Sequence, residues 1–121
     1  MKPAKIKSPP SLAPRLRILS HDKIAFGPGK ADLLALIAET GSIGDAAKQM
    51  KMSYMRAWSL VQEMNRCFKS PLVETVRGGN KRGGANLTEM GRGVLASYRK
   101  MEKSAVDAAQ TDWRTIAKLL R

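Results

Sequence analysis

The chain has 121 residues, and its 22 lysines and arginines against 10 aspartates and glutamates give a formal net charge of +12 at pH 7. This length suits one domain with a small core. The charge predicts a polyanionic partner, because a protein that neutralises phosphates releases their counterions; a merely solvated basic surface is the alternative. A single cysteine excludes an intramolecular disulfide and favours a reducing compartment. The longest apolar run, residues 33–38, is too short to span a membrane, so we expect a cytoplasmic, nucleoid-associated protein with no membrane partner.

The N-terminal region is predicted to contain a basic arm followed by a short hairpin. Residues 1–14 hold four of the six prolines and few large apolar side chains, which is typical of a disordered segment. Basic and apolar residues alternate over 15–20, which predicts a strand. A turn at His21 and Asp22 then leads into a predicted returning strand over 23–26.

Helical periodicity between residues 29 and 69 is broken at two points, and capping residues stand at both. Gly41 is predicted to follow the first helix, Ser42 and Ser53 to cap the next two helices, and Lys51 and Met52 to form a tight turn between those two. The predicted helices cover about residues 29–40, 43–50 and 53–69. Two short helices joined by a three- or four-residue turn form the helix-turn-helix that places one helix in the DNA major groove.

The third of these helices is predicted to present a mixed polar and apolar face to DNA. At about 100° per residue, Ala57, Val61, Met64 and Phe68 share a core face. The predicted DNA-binding residues are the N-cap Ser53 and the side chains that lie opposite or beside the core face. These side chains are Tyr54, Met55, Arg56, Trp58, Ser59, Gln62 and Arg66. Amide, guanidinium and apolar groups suit adenine, guanine and the thymine methyl group, respectively. The alternative is an ordinary solvated helix face.

A basic, glycine-rich wing is predicted to follow this helix. Short strands are expected over residues 72–77 and 85–87, with glycines on both sides of Asn80, Lys81 and Arg82 in the loop between them. Lys81 and Arg82 are predicted to reach a minor groove or phosphates. The loop lacks the G-x-x-x-x-G-K-[ST] pattern and precedes a strand, which disfavours a nucleotide-binding loop. A plain flexible loop remains an open alternative.

The last part of the chain is predicted to form a long helix that pairs two subunits. Thr88 is a suitable N-cap, and the apolar stripe after it is longer than one small winged domain needs. The residues predicted at the dimer interface are Val94, Leu95, Tyr98, Met101 and Ala105. Residues 111–121 add a second apolar surface that either continues the helix or packs back over the first helix of a monomer. We therefore expect a homodimer, with two recognition helices spaced for two half-sites.

These elements together predict a mainly α fold with a small β component. It is a winged helix-turn-helix with an N-terminal strand or hairpin and a long C-terminal dimerisation helix. The expected division is an arm over 1–14, the DNA-binding domain over 15–88 and a helical dimerisation segment over 89–121. No enzyme activity, cofactor or metal site is expected, because one histidine, His21, and one cysteine, Cys67, cannot supply the ligands of a zinc site without carboxylates at matching spacing, and no nucleophile stands in a catalytic context.

Residues 28–100 resemble the N-terminal winged-helix domain of the molybdate-responsive ModE regulators. More distantly they are similar to the DNA-binding domain of LysR-type regulators, in which Leu-Thr-x-x-Gly also follows the wing. The resemblance is carried by short motifs along the whole region. These are Gly41-Ser42-Ile43, Ala46-Ala47, Ser53-Tyr54, Ala57-Trp58, Glu63-Met64-Asn65, Leu72-Val73-Glu74, Gly78-Gly79 and Leu87-Thr88 with Gly91.

The resemblance implies a dimeric, sequence-specific regulator of transcription that binds double-stranded DNA and acts as a repressor linked to molybdenum metabolism. In the full-length family, molybdate binds C-terminal domains that follow the long helix. The 121 residues include no such domains, so we expect no molybdate site in them. Two alternatives stay open: a winged-helix protein that binds another protein, and a non-specific nucleoid-binding or RNA-binding protein.

Overall fold

The computed structural model describes residues 8–76 and 84–121, and within them five helices and two small antiparallel sheets. In chain order the elements are β1 (Ile18–Ser20), β2 (Lys23–Phe26), α1 (Pro28–Thr40), α2 (Ile43–Gln49), α3 (Tyr54–Cys67), β3 (Val73–Thr75), β4 (Ala85–Leu87), α4 (Glu89–Ala108) and α5 (Gln110–Ala117). β1 pairs with β2, and β3 pairs with β4. The predicted fold class, mainly helical with a small β component, is confirmed.

The helix boundaries follow from local capping. Three hydroxyls accept hydrogen bonds from amides three residues later: Ser42 from Asp45 at 3.1 Å, Ser53 from Arg56 at 3.0 Å and Thr88 from Gly91 at 3.0 Å. Each bond satisfies an amide that the first helical turn leaves without a partner. Gly41 ends α1 at a φ of 70°, in the left-handed region that glycine adopts at little cost. All of these predicted caps are confirmed.

Two of the predicted strands and two of the predicted helices extend past the observed elements. α2 ends at Gln49, one residue before its predicted end. β1 begins at Ile18 instead of residue 15, because Phe26 is the partner of Ile18 and the next residues opposite lead into Pro28, which has no N–H to donate. α3 ends at Cys67, where Phe68 turns out of the helix so that its ring meets Phe26 edge-on at 6.1 Å between centroids. β3 ends at Thr75.

The C-terminal segment forms a second helix after α4. α5 follows α4 after a single break at Ala109, and no residue of α5 is buried. The predicted break near Gln110 is therefore present, and the chain is helical again from Gln110 to Ala117 but not over residues 118–121. None of residues 111–121 is buried, so they are not part of the core.

The core lies between α1, α2, α3 and the first half of α4. Its members are apolar side chains from every one of these helices and from both sheets, the largest being Phe26, Leu33, Leu34, Ile37, Ile43, Val61, Met64, Leu72 and Tyr98. Tyr98 is the contribution of α4: its ring packs edge-on to Phe26 at 5.1 Å, and its hydroxyl donates to the carbonyl of Leu16 at 2.7 Å. This bond fixes the segment before β1 against α4.

The start of α4 rests directly on the backbone of residues 71 and 72. The amide of Thr88 donates to the carbonyl of Leu72 at 2.9 Å, and the hydroxyl of Thr88 donates to the carbonyl of Pro71 at 2.7 Å. Gly91 lies one turn later against the same carbonyl of Leu72, where there is no room for a Cβ atom. This close approach places α4 relative to α3 and to the paired strands β3 and β4.

In the part of the chain that the structure describes, no helix is both long enough and apolar enough to cross a membrane. Nor do three or more His, Cys, Asp or Glu side chains of those same residues come together in a group that could hold a metal ion.

Candidate nucleic-acid interface

α3 presents an outward face that is unusually rich in large side chains. Ala57, Val61 and Met64 are buried against the core, which turns the opposite side of the helix to solvent. Met55 is 66% exposed on that side, and Tyr54 and Trp58 are exposed near the N-terminal end. Large apolar side chains that stay uncovered in a folded chain usually mark a contact surface.

All the predicted DNA-binding residues of the described region lie on α3 or at its cap. Ser53, Arg56, Ser59 and Arg66 are exposed, and Gln62 is half-buried. Together with Tyr54, Met55 and Trp58 they form one surface, which we call the α3 face. The predicted wing-tip residues Lys81 and Arg82 lie outside the described residues.

Asn65 fixes α3 to the paired strands β3 and β4, which we call the wing base. Its side-chain oxygen accepts from the amides of Leu72 and Val73 at 2.9 and 3.2 Å, and its amide nitrogen donates to the carbonyl of Val73 at 3.1 Å. One side chain thus makes three bonds to the backbone that enters β3. Sequence reasoning placed Asn65 only within a family motif and missed this role, because no local pattern shows a bond to residues seven and eight positions away.

The wing base is also tied to the turn before α2. The amide of Ala85 donates to the carbonyl of Gly41 at 3.0 Å, and Ser42 pairs with Gly84 in an isolated antiparallel bridge. β3 and β4 pair in register from Val73 with Leu87 to Thr75 with Ala85. The wing base and the helix-turn-helix therefore form one unit.

Lys30 fixes the opposite flank of α3 to the β1–β2 hairpin. Its side chain is 10% exposed, donates from Nζ to the carbonyl of Ile24 at 2.7 Å and lies 3.6 Å from a carboxylate oxygen of Glu63. A nearly buried lysine is rare unless it is paired, and here one ammonium group joins α1, β2 and α3. No signal in the sequence singled out Lys30.

Ion pairs are concentrated away from the α3 face. Arg99 pairs with Asp32 and Glu102, both at 2.9 Å, and hydrogen bonds to these carboxylates raise the pKa of Arg99. Lys103 pairs with Asp107 at 2.8 Å. Among the described residues, neither Arg56 nor Arg66 belongs to an ion pair within 4.0 Å, which leaves their charges available to an external anion.

The predicted dimer residues on α4 are not alike. Met101 is exposed, whereas Val94, Leu95 and Ala105 are half-buried. Tyr98 is 1% exposed within its own chain, and this burial raises the pKa of its hydroxyl. Tyr98 is therefore a core residue of its own chain, and its place at a dimer interface stays a prediction.

Curated relatives match most of this chain. It is 44% identical over 86 residues to the molybdenum transport protein ModE of Azotobacter vinelandii, covering 69% of this chain and 32% of that protein. It is 39% identical over 85 residues to the molybdenum-pterin-binding protein MopB of Rhodobacter capsulatus, covering 70% of this chain and 32% of that protein. The identity to the DNA-binding transcriptional dual regulator ModE of Escherichia coli K12 is 34% over 100 residues, covering 80% and 38%. The chain spans about a third of the length of these relatives, and the resemblance to ModE is confirmed.

Solved structures share the fold at low sequence identity. The crystal structure of a complex of the CbnR DNA-binding domain with DNA superposes with a TM-score of 0.57 at 19% identity, covering 73% of this chain and 95% of that one. The structure of VV2_1132, a LysR family transcriptional regulator, superposes with a TM-score of 0.52 at 18% identity, covering 70% of this chain and 27% of that one. The family model of bacterial regulatory helix-turn-helix proteins of the lysR family matches residues 30–92. Because that match spans more than half of the sequence, the chain belongs to the lysR family of bacterial regulatory helix-turn-helix proteins.

Proposed function

We propose that this chain binds double-stranded DNA at specific sequences and regulates transcription, as a repressor of the ModE type linked to molybdenum metabolism. The observation that carries the proposal is the α3 face, an exposed surface of amide, guanidinium, hydroxyl and large apolar groups that the structure holds between two flanking β elements. Relatives named as ModE, one of them a DNA-binding transcriptional regulator, support it. The activity is binding without catalysis.

α3 has the dimensions and chemistry of a recognition helix. An α-helix with its side chains is about 10–12 Å across and fits the B-DNA major groove, which is about 12 Å wide. In that position Arg66 can pair with guanine and Gln62 with adenine, while Met55 meets thymine methyl groups. Lys81 and Arg82 remain predicted contacts to a minor groove or to phosphates.

Gln62→Ala and Arg66→Ala are each expected to weaken binding to a preferred DNA fragment by about 1–3 kcal/mol, because each removes a hydrogen-bonding group from a base edge. The fragment is first selected from genomic DNA under competition, and the affinities are then measured by fluorescence anisotropy on this fragment and on a random duplex. Gln49→Ala, an exposed amide on α2, serves as the matched control.

The comparison between the two duplexes decides the role of α3. Loss on the preferred fragment alone supports readout of bases, whereas equal loss on both duplexes shows that Gln62 and Arg66 contact only phosphates. Unchanged affinity in both variants rejects α3 as the recognition helix. A wild-type protein that prefers no fragment favours a non-specific nucleoid protein, and one that binds no DNA favours a protein-interaction module.

We further propose that two copies pair through α4 and α5. The 20 residues of α4 make it about 30 Å long, and α5 extends beyond it without a buried residue. Leu119 is 79% exposed, and Ile116, Leu120 and Met101 are exposed as well. These side chains, with half-buried Trp113, give the end of the chain an apolar surface that pairing would cover. A two-fold axis there would present two α3 faces to half-sites about one helical turn, or a multiple of it, apart.

Ile116→Asp combined with Leu120→Asp is expected to convert the dimer into a monomer of 13.3 kDa, because two carboxylates cannot be buried unpaired at an apolar interface. Analytical ultracentrifugation at micromolar concentration measures the change. Arg114→Asp, exposed on the side of α5 away from Ile116, should remain dimeric. A wild-type chain that stays monomeric even on palindromic DNA contradicts the proposed dimer.

A further inference from the structure

The flank of α3 opposite the wing base opens into a cleft. It has a volume of about 800 Å³ and lies between the turn of the β1–β2 hairpin and one side of α3. Lys23 lines it from the hairpin, and Arg56 and Arg66 line it from α3. Three exposed cations from two separate elements thus border one open space, which Lys30 of α1 also lines.

Only part of the charge in this cleft is compensated internally. Glu63 lies 3.6 Å from the ammonium group of Lys30, which also lines the cleft, so these two charges offset each other. Asp22 is the remaining acid of the lining, against the three exposed cations Lys23, Arg56 and Arg66. The net charge is positive, which suits a single anionic group.

The hairpin that carries Lys23 has a tight turn and an anchored second strand. Lys30 anchors its second strand through the bond to the carbonyl of Ile24. His21 and Asp22 form its two-residue turn with φ values of 50° and 63°, the left-handed pair that matches the twist of a tight hairpin. Lys23 directly follows this turn, at the start of the strand that Lys30 anchors.

We infer that this cleft receives a phosphate of the DNA backbone, with Lys23 and Arg56 as its cations and Lys30 as the residue that positions the hairpin. The inference rests on the proposed function. When α3 fills a major groove barely wider than itself, an element on its flank faces the phosphates at the groove wall, where bases are out of reach. The hairpin and the wing then contact the DNA from the two sides of α3.

Lys23→Ala tests the inference on the full chain. Loss of one phosphate contact should lower the slope of log K against log salt by about 0.9, and it should weaken binding roughly fivefold to tenfold at about 0.1 M salt on preferred and random DNA alike. Ethylation interference on the preferred fragment should lose one phosphate position. Lys100→Ala, exposed on α4, is the matched control and should change neither.

Lys30→Met separates positioning from folding, since it keeps the apolar stem and removes the bonds to Ile24 and Glu63. We expect Lys30→Met to show the same reduced salt slope as Lys23→Ala. The double variant should show no further loss of slope or affinity. A fall in thermal stability with an unchanged slope would reject the positioning role. If wild-type protein binds DNA while Lys23→Ala keeps the full slope and every interference position, the phosphate site is wrong and the proposed function stands. Wild-type protein that binds no DNA overturns both.

Discussion

Gly91→Ala is expected to destabilise the fold by about 3 kcal/mol or more. A Cβ atom at this position would overlap the carbonyl oxygen of Leu72 and lie 2.9 Å from its carbonyl carbon. Both neighbours are backbone atoms, so neither can rotate away. α4 would have to move off residues 71 and 72, which breaks the bond from the amide of Thr88 and shifts Tyr98 in the core. Urea unfolding followed by circular dichroism measures the loss.

Gly93→Ala is the control for this effect. It lies two residues further along the same helix, and a Cβ atom there meets nothing within 4 Å. Because an exposed helical position favours alanine over glycine, the Gly93→Ala variant should be more stable than wild type by about 0.5–1 kcal/mol. Opposite signs for the two substitutions are the expected result. If Gly91→Ala unfolds at the same urea concentration as Gly93→Ala, α4 does not rest on Leu72 as described.

Asn65→Ala is expected to cost about 2–4 kcal/mol of stability, because it leaves the amides of Leu72 and Val73 and the carbonyl of Val73 without their side-chain partner. The loss should appear in the same unfolding measurement. It should also loosen β3, so amide hydrogen exchange at Leu72 and Val73 should accelerate more than at core positions of α1.

Two further variants sharpen the assignment of Asn65. Asn65→Asp keeps an acceptor for the two amides but loses the donor to the carbonyl of Val73, and it should fall between wild type and Asn65→Ala. Gln49→Ala removes an exposed amide and should change stability by less than about 0.5 kcal/mol. An Asn65→Ala protein as stable as wild type, with unchanged exchange at Leu72, would show that the wing base is held by other contacts.

Features that depend on neighbours in sequence were predicted well. The caps Ser42, Ser53 and Thr88 and the turn at Lys51 involve atoms only a few residues apart, and Lys51 has a φ of 57° in that turn. The separation of α3 into a buried and an exposed side follows equally from helical geometry. For these reasons the helix-turn-helix and its outward-facing residues could be placed before the structure was known.

Features that depend on distant contacts could not be predicted. Tyr98 shares an apolar stripe with Met101, yet one is enclosed by Phe26 and the other is exposed; periodicity gives the face of a helix but not what covers each turn of it. Lys30 lies in the first turn of α1, where a lysine normally points to solvent. Only the packing of β2 against α3 brings the carbonyl of Ile24 and the carboxylate of Glu63 together around the ammonium group of Lys30.

The bond between the hydroxyl of Tyr98 and the carbonyl of Leu16 joins residues 82 positions apart. During synthesis at about 5–20 residues per second, Tyr98 leaves the ribosome several seconds after Leu16. A two-stranded hairpin as short as β1–β2 is at best marginally stable by itself. The hairpin is therefore synthesised first but is fully packed only when α4 emerges and supplies the ring of Tyr98, against which Phe26 packs. A nascent chain that has not yet reached α4 lacks both the ring that packs against Phe26 and the hydroxyl that holds the carbonyl of Leu16, so the hairpin gains these two contacts only after α4 has emerged.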